Sequence, residues 1–490
     1  MSAALSIRGK RRRGHVLAVP PVFALPTQGI GVKVHYRTAT VETGREPLDI
    51  ATGLASSGIW DTFVVYEDPD GWSIAGGIAA EVLLTPRCIR TTRDGVVTED
   101  RWNGNPLDRI QEFLEGLSIA DWSAYGWCAF ELAPLLAGMA APRDGVLAHL
   151  VVPETEVRLS GGRAVIRSLR GAALATAEEA VTHAAAPAGG TGRPVRVDLE
   201  ADAGDYLHHV ASLVRDIRAG LLQKAVISRV VPVPEEIDFP ASFAAGRRAN
   251  SPTRSFLLSM GGLRAFGFSP ETVVEVDPER RVASQPLAGT RALTGDTELD
   301  RKLREDLLAD PKELHEHAIS VKVAVDELAG PCEPETVAVT EFMTVKERGT
   351  VQHLASKVVG RMPEGAGPWQ AFAAVFPAVT ASGVPKPAAY EAISRYESQA
   401  RGPYAGAVMK VTQDGTMDAA LVLRSAYARN GRTWLRAGAG VVEQSRAERE
   451  LEETREKLMS VSRSLVGRAD RTAEPADDTG AAEGRPRPRR

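Results

Sequence analysis

The sequence predicts a mixed α+β fold with antiparallel strands, on three observations. Short runs of alternating or β-branched residues, such as Thr62-Phe63-Val64-Val65-Tyr66, are divided by turn clusters such as Asp68-Pro69-Asp70-Gly71. Stretches of helical periodicity lie between them; Leu107, Ile110, Phe113, Leu114 and Leu117 recur on one face of Pro106 to Leu117. The 490 residues, 43% hydrophobic and 25% charged, suffice for a large core, as one domain or two halves. A formal net charge of −4 gives no electrostatic basis for a nucleic-acid partner. No apolar run approaches membrane-spanning length, so no membrane role is expected. Cys88, Cys128 and Cys332 lie far apart with no CxxC spacing, which excludes a disulfide framework and points to a reducing, cytoplasmic setting.

Residues 1–32 carry Lys10-Arg11-Arg12-Arg13 and three prolines, and read as a disordered basic arm rather than a secretory signal. Residues 33–183 form the N-terminal half, with Trp122, Tyr125, Trp127 and Phe130 as core aromatics. Residues 184–197, small and rich in Gly and Pro, are a linker. Residues 198–466 hold the second half. It opens with a helix capped by Asp202, with Tyr206, Val210, Leu213 and Ile217 on one face. The β-branched run from Lys224 to Val231 follows as a central strand. Ser255 to Val282 is strand-rich, and Asp300 to Leu328 is helical, broken and restarted by Pro311. Further strands fall near Glu341–Val345 and Val351–Leu354. Others fall at Gly406–Val411, Ala419–Ala426 and Thr433–Gly440, before a final helix from about Ala447 to Leu465. Residues 467–490, rich in Pro, Gly, Asp and Arg, read as a disordered tail.

Two of these helices carry glutamates three residues apart, Glu313 with Glu316 and Glu450 with Glu453. That spacing puts each pair on one helix face. A solvated face, or ordinary i,i+4 pairs with Arg455 and Lys457, accounts for either pair alone. Both helices also have apolar seams beside the acids, which brings the carboxylates to the edge of the core. If the helices face each other, four carboxylates converge, and a divalent cation or a proton is needed between them. His315-Glu316-His317 has the wrong spacing for zinc, and all-oxygen ligation favours Mg²⁺.

The chain also carries a series of ordered motifs: LLQKAVISR, GFSPETVV, PLAGTRAL, KELHEHAISV, VQHLASKV, FPAVTASGVPK, RGPYAGAV, DAALVLRSAY, WLRAGAGVVEQS and ERELEETREKL. Through them the region from Lys224 to Leu465 resembles the chorismate-binding enzymes, the anthranilate, aminodeoxychorismate, isochorismate and salicylate synthases. Tyr66-Glu67, Gly71-Trp72, Ala75-Gly76-Gly77 and Gly126 to Glu131 extend the resemblance through the first half. The wording of the motifs is most similar to the salicylate synthases of siderophore pathways.

The resemblance implies a large mixed fold of antiparallel sheets in a sandwich-like core with helices packed outside, as in anthranilate synthase component I. It implies chorismate as substrate, Mg²⁺ as cofactor, and conversion through isochorismate to salicylate and pyruvate. An isochorismate synthase stopping after the first step is the nearest alternative, and a non-catalytic chorismate-binding homologue is a remote one. The family's lysine for water addition matches Lys224. The lysine of the aminodeoxychorismate PIKGT motif is replaced by Ala288, so water is the expected nucleophile. No glutamine-amidotransferase subunit is then needed, and the chain is expected to act as a monomer.

By the same resemblance Lys224 is the general base and Glu271 the general acid for the leaving hydroxyl. His353, expected as a catalytic residue, and Thr380, expected on the substrate, match positions lining the pocket. Glu316 and Glu453 match direct metal ligands, with Glu313 and Glu450 ligating or holding bound waters. For the enolpyruvyl carboxylate, Arg424 offers a bidentate fork and Tyr404 a neighbouring donor. Backbone at Gly289-Thr290 and from Gly438 to Gly440 lets an anion approach closely. Lys457 reaches either a substrate carboxylate or Glu453, one turn back on its own helix.

Overall fold

The computed structural model describes residues 33–140, 144–183, 192–348 and 351–468. The expected basic arm, most of the linker and the tail beyond Arg468 lie outside the described residues. Among those described, eleven strands build one antiparallel sheet and twelve another. Each sheet takes strands from both halves of the chain. In the first, Phe63–Asp68 pairs with Arg254–Met260; in the second, Ser123–Cys128 pairs with Ala407–Thr412. The halves are thus joined edge to edge by backbone hydrogen bonds.

The largest core takes side chains from both sheets, packing Tyr66, Phe256 and Leu258 of the first with Trp127 and Val408 of the second, and with Tyr404. Trp122, Tyr125, Trp127 and Phe130 are all buried there, as the sequence suggests. A second cluster gathers Phe239, Phe243, Phe266 and Phe268 with Leu458 and Val461 of the last helix. The mixed α+β class and the antiparallel sheets are borne out.

Three local expectations are corrected. The strand Lys224–Val233 is not central: it lies next to last in its sheet, flanked by Arg432–Val441 and the two-residue strand Gly383–Val384. Its β-branched side chains are buried by helices packed over it, including Ala203–Arg218 and Lys386–Tyr396. Asp202 precedes Ala203–Arg218 at φ 64°, in the left-handed region, and its side chain makes no capping bond. The segment Ala419–Ala426 is two strands in different sheets, Met417–Leu421 and Ser425–Arg429. The chain crosses between sheets at Val422-Leu423-Arg424, where Arg424 takes φ 49°.

The crossing matters because the two glutamate helices are also anchored on different sheets. Pro311–Leu328 packs on Leu287–Ala292 and Val351–Arg361 of the second sheet. Asp310 starts that helix by accepting from the amides of Lys312 and Glu313, with Pro311 at the first position. Ala447–Ser462 packs on Arg432–Val441 of the first sheet. Their first turns meet.

Candidate active site

At that meeting the four glutamates converge. Glu313, Glu316 and Glu450 are buried, and Glu453 is nearly so. Three have a cation of their own. Arg291 Nη1 lies 3.2 Å from Glu313, Lys224 Nζ 2.9 Å from Glu316, and Lys457 Nζ 2.7 Å from Glu453. Lys312 Nζ stands between the helices, 3.4 Å from Glu313, 3.6 Å from Glu316 and 3.8 Å from Glu450. The second oxygen of Glu450 is buried and has no hydrogen-bond partner. Burial, then the charge of Glu453, pushes the Glu450 carboxyl up. Burial acts the same way on Glu453, but Lys457 and Lys312 outweigh it and hold that carboxyl down.

The carboxylates are turned toward these ammonium groups, and as they stand no three His, Cys, Asp or Glu side chains among the described residues are placed to grip one metal ion. The donor set nevertheless fits a hard divalent cation. It is all oxygen, it comes from two facing helices, and it includes a buried acceptor left without a donor. The histidines take no part in it. His317 is buried against Ser356 Oγ (2.7 Å) and the Ala288 carbonyl (3.1 Å).

The carboxylates open onto a cleft. Its walls include Glu271, Gly289, Thr290, Glu313, Glu316, His353, Thr380, Tyr404, Arg424, Gly438, Gly440, Glu453 and Lys457, all singled out from sequence. Lys224 and Glu450 sit behind that wall. Lys224 is fully buried, held by Glu316 and within 3.4 Å of Ser320 Oγ.

Glu271, 2% exposed, belongs to another wall. The Leu287 amide donates to one oxygen (2.6 Å) and the Thr380 hydroxyl to the other. Burial pushes its carboxyl up to about 7, against the pull of Thr380, the Leu287 amide, Lys224 and Arg424. Thr380, expected on the substrate, thus spends its hydroxyl on Glu271. Arg424 Nη2 donates to His353 Nε2 (2.7 Å), and His353 Nδ1 faces Thr290 Oγ1 (2.9 Å) on the paired strand. Burial and the Arg424 charge hold His353 well below its usual range, so its ring is neutral. Burial also pushes Arg424 down, to about 10.

The glycines make room for the acids. At Gly289, with φ +88°, a Cβ would come within 3.2 Å of Glu313. The next amide, Thr290, already donates to that carboxylate at 3.3 Å. A Cβ on Gly440 would lie 2.5 Å from Glu316 Oε1. The Gly438 carbonyl accepts from Lys457 at 2.9 Å. Lys457 therefore holds Glu453 and the strand together, the second of its two expected contacts.

Sequence reasoning missed Lys312 and a second buried cluster. Lys312 was legible: it adjoins Glu313 and stands four residues before Glu316. In the second cluster Glu397 binds Arg401 and Arg436, each at 2.6 Å, and accepts from the Ser228 amide at 2.7 Å. The two guanidiniums lie 5.8 and 5.5 Å from the ring centre of Tyr404 and fix that wall of the cleft. Glu397 and Arg401 stand four residues apart, but Arg436 comes from a separate strand, and no spacing rule joins it to them.

A large antiparallel α+β sandwich, with an acid wall facing a cation-rich carboxylate cluster, defines an enzyme that acts on a small anionic substrate. Residues 61–463 match the family described as chorismate binding enzyme, and the chain belongs to that family. It is 41% identical over 429 residues to a salicylate synthase of Mycolicibacterium paratuberculosis, covering 86% of this chain and 94% of the relative. Among solved structures it resembles the menaquinone-specific isochorismate synthase of Escherichia coli. That match has a TM-score of 0.69 and 22% identity over 89% of this chain and 96% of the other. Anthranilate synthase component I of Streptococcus pneumoniae aligns with a TM-score of 0.67 and 24% identity, over 80% of this chain and 92% of that one. These two matches show the fold, and with it the expected likeness to anthranilate synthase component I.

Proposed function

We propose that this enzyme is a salicylate synthase, taking chorismate through isochorismate to salicylate and pyruvate. The observation that carries this reading is the likeness to a salicylate synthase along nearly its whole length. The site supports it chemically. Lys224 as a free amine takes a proton from water as the oxygen adds to the ring, the ring double bonds shift, and the ring hydroxyl leaves with the proton of Glu271. A carboxyl pushed up to about 7 still carries that proton near neutral pH. Ala288 leaves the family's alternative amine-bearing position empty of a nucleophile.

Glu316 and Glu453, backed by Glu313 and Glu450, would hold Mg²⁺. When bound, the ion would supply charge neutralisation for the ring carboxylate. Arg424, braced by neutral His353, meets the enolpyruvyl carboxylate, with Tyr404 beside it. The second step moves a ring hydrogen to the enolpyruvyl methylene as the ether bond breaks, and the ring becomes aromatic. It needs a held conformation rather than another acid, and rigid walls provide that.

The reading includes no amidotransferase subunit, a monomer, a cytoplasmic site and salicylate supply to a siderophore pathway. No helix among the described residues is long and apolar enough to cross a membrane. Incubation with chorismate and Mg²⁺ should give salicylate and pyruvate in equal amounts by chromatography. Isochorismate accumulating without pyruvate would leave only the first step.

A further inference from the structure

Lys312 differs from every other cation at the carboxylate cluster. Arg291, Lys224 and Lys457 each hold one of the four glutamates. Lys312 reaches three, and it bridges the two helices: Glu313 and Glu316 on its own, Glu450 on the facing one. Glu450 has no other ion pair among the described residues, and its second oxygen is buried without a partner. The Lys312 side chain is 18% exposed, so its four-carbon stem runs from the site to the surface. A lysine stem is flexible and its ammonium is readily rehydrated, so it can turn to solvent when another cation takes over the carboxylates.

We propose that Lys312 is a displaceable counter-cation: its ammonium and a divalent ion compete for the same oxygens of Glu316 and Glu450. The ion enters as Lys312 turns out toward solvent. The proposal rests on reading the glutamates as a metal site. Both cations cannot use these oxygens together, because a unit charge about 4 Å from a dication opposes its binding by well over tenfold in a partly buried setting. Holding the carboxylates by an ammonium keeps the two helices together without an ion. It also sets the ion's affinity lower than four glutamates alone would give.

The test is titration calorimetry of the full chain with Mg²⁺ alone and with Mn²⁺ alone, alongside thermal unfolding in EDTA. Lys312→Met should bind either ion at least about tenfold more tightly than the unsubstituted protein. Its Tm in EDTA should fall and be restored by Mg²⁺. Lys312→Arg keeps the charge and should keep the weaker affinity. If Lys312→Met does not fold in EDTA, recovery of a cooperative transition in Mg²⁺ supports the proposal, and no recovery overturns it. Equal or weaker ion binding by Lys312→Met also overturns it and assigns Lys312 a structural or ion-supporting role. An unsubstituted protein that binds neither ion overturns the metal reading itself, a distinct result.

Discussion

Around Glu397 the two carboxylate oxygens meet two guanidiniums, a hydroxyl and an amide; around Glu450 one oxygen lies 3.8 Å from a shared ammonium and the other meets nothing. Both carboxylate side chains are almost fully shielded from solvent, and neither lines the cleft itself. Their environments move them in opposite directions. Burial acts on Glu397, but Arg401 and Arg436 outweigh it and hold the carboxyl down. At Glu450 burial wins, and the neighbouring Glu453 adds to it. The guanidiniums around Glu397 are also committed further, to the carbonyls of Val226, Ala381, Ala400 and Gln399. A cluster with every donor and acceptor matched is a brace. A cluster with surplus acid and an unmatched oxygen has capacity for a ligand.

The contrast predicts that substitutions in the open cluster remove activity while those in the closed one remove stability. The largest expected effect is at Lys224. Lys224→Ala should lower turnover of chorismate by about 10²–10⁴-fold, the range for loss of a general base, with the thermal transition retained. Full activity would remove Lys224 from its role. Glu397→Gln should act the other way. Breaking a buried ion network by removing one partner costs about 3–5 kcal/mol, measurable by urea unfolding. A stable but inactive Glu397→Gln protein would blur the distinction between the clusters. The smallest effect is graded. Glu271 must carry its proton to act as acid, and that form is lost as pH rises through about 7. The pH profile of kcat/KM should therefore fall above about 7, approaching tenfold per unit. Glu271→Gln should abolish that limb along with most of the activity.

What the sequence discloses follows from the range of the rules that read it. Glu313 with Glu316 and Glu450 with Glu453 are legible because a helix brings i and i+3 together. Of the two strands that pair His353 with Thr290, Val351–Leu354 is legible as a strand, but its partner Leu287–Ala292 is not, and their register shifts after Leu287. The crossing at Arg424 is hidden because no glycine or proline marks it, although the backbone there takes φ 49°. Lys224 reads as central from its β-branched neighbours, whereas its strand is next to last in the sheet and Lys224 meets Glu316 and Ser320 of a helix distant in sequence. The Glu397 brace also depends on Ser228 and Arg436, which only the folded sheet gathers. Long-range charge pairing leaves no periodic trace.

The central claim is that the buried lysine and the acid across the cleft deliver water to the ring of chorismate. Turnover of chorismate and Mg²⁺ in ¹⁸O-labelled water, followed by mass spectrometry of the salicylate, tests it directly. The account predicts one ¹⁸O in the ring hydroxyl of salicylate, and labelled product formed about 10²–10⁴-fold more slowly by Lys224→Ala. Salicylate formed without the label would contradict it.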